Sequence, residues 1–414
     1  MPATRFNDPE EGDGRGSSAR ANRSLIVVST AVLLSSSTWF SGTAAAPDLI
    51  RVWGLTDAQG AWLTISVQLG FITGTFLYAV LNLADVFNAR HVYFVSAVLG
   101  AGCNAAFGFL ADGIGSAGVF RFLTGVTLAG VYPVGMKLVA SWFRSGLGWR
   151  LGVMVGALTM GTASPYLIRS LGTALDWRRL VAAASLLSAF GGLLVLTALV
   201  DGPYLKGGAR FDPAMLTKVF RHRPFRNTAL GYFGHMWELY AFWSMVPFFL
   251  GARLADIGPL RAGAESLLAF TVVGIGTLGC AVGGWISRSV GEKRVAAISL
   301  WISGTLCLAS GAIYSLSLWL IVPLLLVWGF FVISDSPQFS ALAARYCPPD
   351  YTGTALTVQN GIGFAITVIS IQLTPWVANQ IGWQWAFTFL GVGPLAGLLF
   401  VRQLPDHGGS RAAR

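Results

Sequence analysis

Two carboxylates, Glu238 and Asp335, lie deep within apolar stretches long enough to cross a bilayer, and His235 and Arg121 are the main ionisable side chains at similar depth. Holding a charge there costs roughly 2.5–3.5 kcal/mol on insertion scales, so such groups mark ion pathways, proton relays or tightly paired structure. His235 and Glu238 stand three apart and share a helix face. A carboxylate desolvated near mid-span can exchange a proton during a cycle, which nominates Glu238 as proton carrier with His235 tuning it. A structural hydrogen bond to a neighbouring helix is the other use of such an acid. Asp335 sits in Ser334-Asp335-Ser336-Pro337, where the proline removes a backbone bond and the acid either stabilises the kink or serves a cavity. Arg121 is placed to be a substrate counter-charge or a carboxylate's partner, or to snorkel towards the nearer interface. Lys137 reads as an interfacial anchor. Tyr132, Trp237, Tyr240 and Trp243, with Trp39, are candidates for the flat walls of a cavity, although each can equally pack between helices or face lipid. Gln359 and Asn360 can bond a ligand or join helices.

The elements that must position these groups follow from composition. The chain has 414 residues, 54% hydrophobic and only 11% charged, against about 25% charged in ordinary soluble domains. Apolar runs recur along nearly its whole length, and twelve are long enough to span: 25–46, 59–80, 91–111, 116–139, 150–171, 179–200, 227–250, 265–287, 295–315, 318–343, 353–378 and 383–402. The expected fold is an all-α membrane protein of twelve transmembrane helices. Residues 1–24 are polar and rich in Gly and Ser, which predicts a disordered tail; residues 404–414 form a second tail. The Ala44-Ala45-Ala46 run does not make the first span a cleaved leader, because that span is too long and eleven more follow.

With the N-terminus inside, inner loops and tails hold 21 of the 28 Lys and Arg residues, so both termini are expected on the cytoplasmic side. The net charge of +10 is then explained by topology and by anionic lipid, and nucleic-acid binding is not expected. Cys103, Cys280, Cys307 and Cys347 offer neither a disulfide framework nor metal spacing. No cofactor or metal is expected. Gly274-Ile275-Gly276-Thr277-Leu278-Gly279 matches a dinucleotide fingerprint but lies within a span, where close helix packing accounts for it, as for Gly70 with Gly74 and Gly152 with Gly156. The chain carries no phosphate-binding loop sequence, so it is not read as an ATPase or any other enzyme.

The one long internal connection, 201–226, carries six basic residues and divides the chain into halves 25–200 and 227–403. The halves echo one another at a lag near 204 residues: Gly130-Val131-Tyr132-Pro133 lies over Ser334-Asp335-Ser336-Pro337. Two six-span halves of the same sense imply a parallel repeat about the membrane normal.

Over about residues 24–403 the chain resembles the major facilitator superfamily. Gly283-Gly284-Trp285-Ile286-Ser287-Arg288-Ser289-Val290-Gly291-Glu292-Lys293-Arg294 is similar to its cytoplasmic loop signature, with Arg288 in place of the usual Asp. The first-half copy keeps Asp85 but has Val86 for the basic residue and Asn88 for the Gly. Arg121-Phe122-Leu123-Thr124-Gly125 looks like the fourth-span motif linked to proton coupling. Gly152, Gly156, Gly161 and Pro165 form a loose version of the antiporter motif without its Gly-Pro pair. The strings GHMWELYAFW and SDSPQFSALAA resemble bacterial permeases of the nitrate, nitrite and cyanate type, although the second span offers Gln68 and Tyr78 where nitrate porters have Arg.

The resemblance implies a central cavity lined by spans one, four, seven and ten. The independently chosen Arg121, His235, Glu238 and Asp335 fall on three of these. It also implies conformational charge contacts among Asp85, Arg90 and Arg150, and their second-half counterparts Glu292, Lys293 and Arg294. The expected function is secondary active transport of a small polar or amphipathic solute across a bacterial inner membrane, proton-coupled and by a monomer. An uncoupled facilitator, or a non-transporting sensor or assembly protein on the same scaffold, is the alternative.

Overall fold

The computed structural model describes residues 14–143, 147–171, 176–204, 216–257, 263–347 and 352–405. Twelve membrane helices run through them as two six-helix halves. Spans two, three, five, six, seven and eleven are continuous: Asp57–Val80, Ala89–Leu110, Leu147–Leu171, Trp177–Ala198, Arg223–Ile257 and Thr352–Ile381. The others are broken: span one into Gly14–Ser36 and Ser41–Trp53, span four into Ile114–Leu128 and Tyr132–Ala140, and span eight into Ala264–Gly274 and Gly276–Val290. Span nine divides into Glu292–Leu308 and Ser310–Tyr314, span ten into Leu318–Ser334 and Ser336–Tyr346, and span twelve enters through 3-10 turns before Val392–Arg402. Short helices Leu83–Val86 and Leu216–Arg221 lie in connections.

Local chemistry sets these limits. Thr56 and Gln59 exchange side-chain and backbone hydrogen bonds of 2.9 and 3.2 Å, a reciprocal cap that starts span two. Gly54, at φ 61°, ends span one in the left-handed conformation that glycine adopts without strain. In span one, Ser37, Thr38 and Ser41 turn their hydroxyls back onto the carbonyls of Leu34, Ser35 and Thr38 at 2.7–3.0 Å. That competition lets the chain leave the helix at mid-membrane. Spans four and ten break at matching places, and each restarts with a proline in its first turn, Pro133 and Pro337. The 204-residue echo in sequence is therefore an echo in backbone.

Within the first half, spans two and four touch backbone to backbone. A Cβ on Gly70 would collide with the Phe122 carbonyl, and one on Gly125 with that of Val67. Across the halves, span two packs on eleven and span five on eight. Thr277 Oγ1 donates to the Gly156 carbonyl at 3.0 Å, and a Cβ on Gly152 would stand 3.1 Å from the Cys280 carbonyl. Apolar side chains such as Trp319 and Leu186, 89% and 72% exposed, coat the outside and mark the lipid-facing belt.

Three expectations need correction. Helix begins at Gly14, so residues 14–24 are not a disordered tail; residues 1–13 lie outside the described residues. Span one runs on to Trp53 rather than stopping at 46, continuing through Pro47, which lies inside the second segment and removes one of its backbone bonds. Lys137 is more than an interfacial anchor: it ion-pairs with Asp85 and donates to the Ala84 carbonyl at 2.5 Å.

Candidate functional site

Arg121 is wholly buried and does not snorkel. Its guanidinium is spread over the break in span one. Nη1 donates to Thr38 O at 2.8 Å, Ser41 Oγ at 3.2 Å and Asn104 Oδ1 at 2.8 Å. Nη2 donates to the Trp39 carbonyl, and Nε to Leu63 O at 3.3 Å. The Phe107 ring lies 5.6 Å away. Asn104 extends the network to span six through Val181 O and Ser185 Oγ at 3.2 and 3.0 Å. Carbonyls freed where the helix unwinds thus receive charged donors, the compensation that irregular backbone requires at membrane depth. Among the described residues Arg121 makes no ion pair. The sequence clue to this arrangement was the hydroxyl run Ser35-Ser36-Ser37-Thr38, whose meaning appears only once its partner Arg121 is in place.

In the second half, His235 Nδ1 stands 2.9 Å from Asp335 Oδ1, with both side chains at most 2% exposed. Neither His235 Nε2 nor Asp335 Oδ1 makes an aligned hydrogen bond among the described residues, so the 2.9 Å approach is a close pairing of the two groups and not an aligned hydrogen bond. Tyr232 and Phe339 flank the imidazole with centroids 5.9 Å off. Asp335 is the single residue between the two segments of span ten, so this contact ties span seven to a break. Glu238 points elsewhere: its Oε1 accepts from Trp328 Nε1 at 2.6 Å and from Cys307 Sγ at 3.2 Å, on spans ten and nine. His235 therefore partners Asp335, not Glu238. Three residues on a helix leave two side chains about 60° apart around the axis, enough for them to meet different neighbours.

Between the halves lies a narrow cleft with room for only about 30 Å³ in this closed arrangement, so a solute would enter it as the halves open. Tyr132, Val155 and Leu158 line it from the first half; Tyr232, Tyr240, Trp243, Ser336 and Asn360 are among its walls from the second. None of Arg121, His235, Glu238 and Asp335 lines it, although Met236 and Ser336, their immediate neighbours in sequence, do. An aromatic seam adjoins it. Trp39 stacks on Tyr240 at 5.7 Å and on Phe364 at 5.8 Å, Phe71 meets Phe364 at 4.5 Å, and Phe40 meets Trp243 edge-on at 6.3 Å. Trp237 turns away from the cleft, against Phe389 of span twelve. Gln359 is buried beside Asn360, its Oε1 without a hydrogen-bond partner among the described residues.

The peripheral charges pair mostly within their own halves. Arg90 contacts Asp201 at 2.9 Å, Arg345 contacts Glu292 at 2.7 Å, and Lys293 donates to Leu404 O at 2.5 Å. Arg150 stacks on Phe143 at 3.9 Å and faces Arg288 of the other half, a like charge. Arg294 is exposed. At the opposite end of the bundle, Arg169 binds Asp48 at 2.7 Å and Ala44 O at 2.6 Å. Beyond the spans, Ser116 donates to Asp112 at 2.6 Å and holds that carboxyl below the usual range.

Twelve helices in two repeated halves around a central cleft define a membrane transporter. The chain belongs to the Major Facilitator Superfamily, whose family model matches residues 27–371. It is 30% identical over 113 residues to the probable galactarate/D-glucarate transporter GudP of Escherichia coli, a match covering 26% of this chain and 25% of that protein. Over 188 residues it is 28% identical to the niacin transporter NiaP of Acinetobacter baylyi, covering 42% and 40%. These matches thus span well under half of either relative. In fold it is similar to the proton:xylose symporter XylE, with a TM-score of 0.70, 13% identity and coverage of 95% of this chain and 98% of that one. A mutant of the nucleoside transporter NupG gives a TM-score of 0.71 at 13% identity, over 93% and 100%.

Proposed function

We propose that this protein is a proton-coupled secondary transporter of a small polar or amphipathic solute, working as a monomer in a bacterial inner membrane with both termini cytoplasmic. Halves 25–200 and 227–403, joined by 201–226, are the units that rock about the cleft. The observation that carries the coupling is the buried His235 contact with Asp335 at the break of span ten, beside the cleft. A proton taken up by Asp335 removes its charge and weakens its hold on His235, freeing the break to move against span seven. Glu238 has a Trp N–H and a thiol for partners and no cation within ion-pair range among the described residues, so a proton supplies the compensating charge it lacks. It is the second proton-handling group. Relatives described as carriers of galactarate/D-glucarate and of niacin support a small polar solute, and the likeness to a proton:xylose symporter supports the coupling reading.

The test is uptake by proteoliposomes across a solute panel under an imposed pH gradient. Accumulation above equilibrium that collapses on adding a protonophore is expected. Uptake indifferent to the gradient would remove the coupling and leave a facilitator.

A further inference from the structure

The cleft's lining carries information about its occupant that the buried charges do not. Among the described residues, no Asp, Glu, Lys, Arg or His lines it. Arg121 is committed to the backbone of span one, Asp335 to His235, and Glu238 to Trp328 and Cys307. What the cleft does present is polar but uncharged: the phenols of Tyr132, Tyr232 and Tyr240, the amide of Asn360 and the hydroxyls of Ser336 and Ser340, the last turned onto the Ser336 carbonyl at 3.4 Å. The three phenols and the Asn360 amide make no hydrogen bond with another described residue. Tyr232 and Tyr240 are eight residues apart on span seven, about 12 Å along the axis, while Tyr132 faces them from the first half. Trp243 and Phe364 add flat apolar surface beside these donors and acceptors.

We infer that the cleft takes an uncharged planar solute: an aromatic or heteroaromatic ring bearing an amide or a similar donor and acceptor group. The rings supply faces for offset or edge-to-face contact. The phenols and Asn360 supply in-plane hydrogen bonds to the substituent, which would otherwise be unmatched when the halves close. An anion would bring an uncompensated charge into a space with no facing cation, and an ammonium ion would find no facing carboxylate; both are disfavoured on desolvation. Because Tyr132 and the two span-seven tyrosines belong to different halves, the solute bridges the halves directly. This inference rests on the transporter reading above for its use of the cleft, but not on proton coupling.

The test is saturation binding of radiolabelled benzamide to the purified full-length protein, with benzoate, benzylammonium and tartrate as competitors. Saturable benzamide binding is expected. Benzoate and benzylammonium should compete at least tenfold less well than unlabelled benzamide, and tartrate should not compete. Tyr232→Phe should weaken benzamide binding about fivefold, the worth of one hydrogen bond, and Asn360→Leu more than tenfold, both in proteins that melt as the parent does. A charged probe that competes as well as benzamide, absence of saturable benzamide binding, or unchanged affinity in the two folded variants would each overturn the assignment. Benzamide binding that survives in a protein without pH-driven transport would defeat the coupling and leave this inference standing. Proton-driven transport of an anion would do the reverse.

Discussion

Replacing Arg121 by Lys keeps the charge and about the same reach but collapses a two-edged fork into a single point. In the structure the fork serves five acceptors on spans one, two and three: the carbonyls of Thr38, Trp39 and Leu63, the Ser41 hydroxyl and the Asn104 amide oxygen. An ammonium group placed near Nη1 can keep the Thr38 and Asn104 bonds but loses those to Trp39 and Leu63. Two charged hydrogen bonds at about 2 kcal/mol each make the loss about 4 kcal/mol. With an unfolding entropy of about 2 cal/mol/K per residue, or about 0.9 kcal/mol/K for the chain, the melting temperature should fall by about 5 °C. Thermal denaturation of parent and variant in one detergent measures this. Pairing the substitution with Asn104→Ala in a double-mutant cycle should give a coupling above about 0.5 kcal/mol, since the two side chains share a bond. A Lys variant that melts within a degree of the parent, or strictly additive effects, would refute the view that Arg121 holds the break of span one together.

Other outcomes can be checked alongside. Glu238→Gln should abolish uphill accumulation while sparing counterflow, because the amide keeps the Trp328 bond but cannot release a proton; pH-driven accumulation at the parental level would sink that role. Gly70→Ala should lower the melting temperature by several degrees, since its methyl meets the Phe122 carbonyl, whereas Gly102→Ala, with nothing within 4 Å, should be neutral; equal effects would contradict the close approach of spans two and four. Trp39→Ala should open the aromatic seam and raise the labelling rate of a cysteine placed at Tyr132 at least tenfold, and unchanged labelling would show that the seam does not restrict access. Single cysteines near Arg51 and Arg253 should react from outside intact cells and those near Lys293 only after permeabilisation, the opposite pattern inverting the assigned orientation.

Much of the architecture was legible because membrane solvation leaves little choice: an apolar run of span length becomes a helix, and Pro133 and Pro337 announce the matched breaks of spans four and ten. Span one's break was not foreseen. Hydroxyl residues are tolerated in helices, and only a donor brought from span four makes unwinding at Thr38 and Trp39 stable. For the same reason Glu238, His235, Asp335 and Arg121 could be picked out individually while their pairings could not. The spacing of His235 and Glu238 says they share a face, but whether a helix from span nine or span ten fills the space beside each is a tertiary fact. Tyr132 and Tyr240 were found as cleft walls, whereas Tyr232 was missed because nothing in the sequence sets it apart from other aromatic residues.

The seam at Trp39 has unequal sides. Towards its own half, the segment that carries the indole is fastened by directional bonds from Arg121, which lose their worth when stretched by an ångström. Towards the other half, Tyr240 and Phe364 touch it only through ring faces, which can slide or separate with no bond left dangling. Were the two halves to part as proposed, Trp39 and Phe40 would stay with spans one and four, held by Arg121, and the seam would open between them and span seven. Under the proposed rocking motion this ring contact would part without breaking a hydrogen bond, unlike the bonds of Thr277 to the Gly156 carbonyl and of Tyr166 to the Trp243 carbonyl, which also cross between the halves.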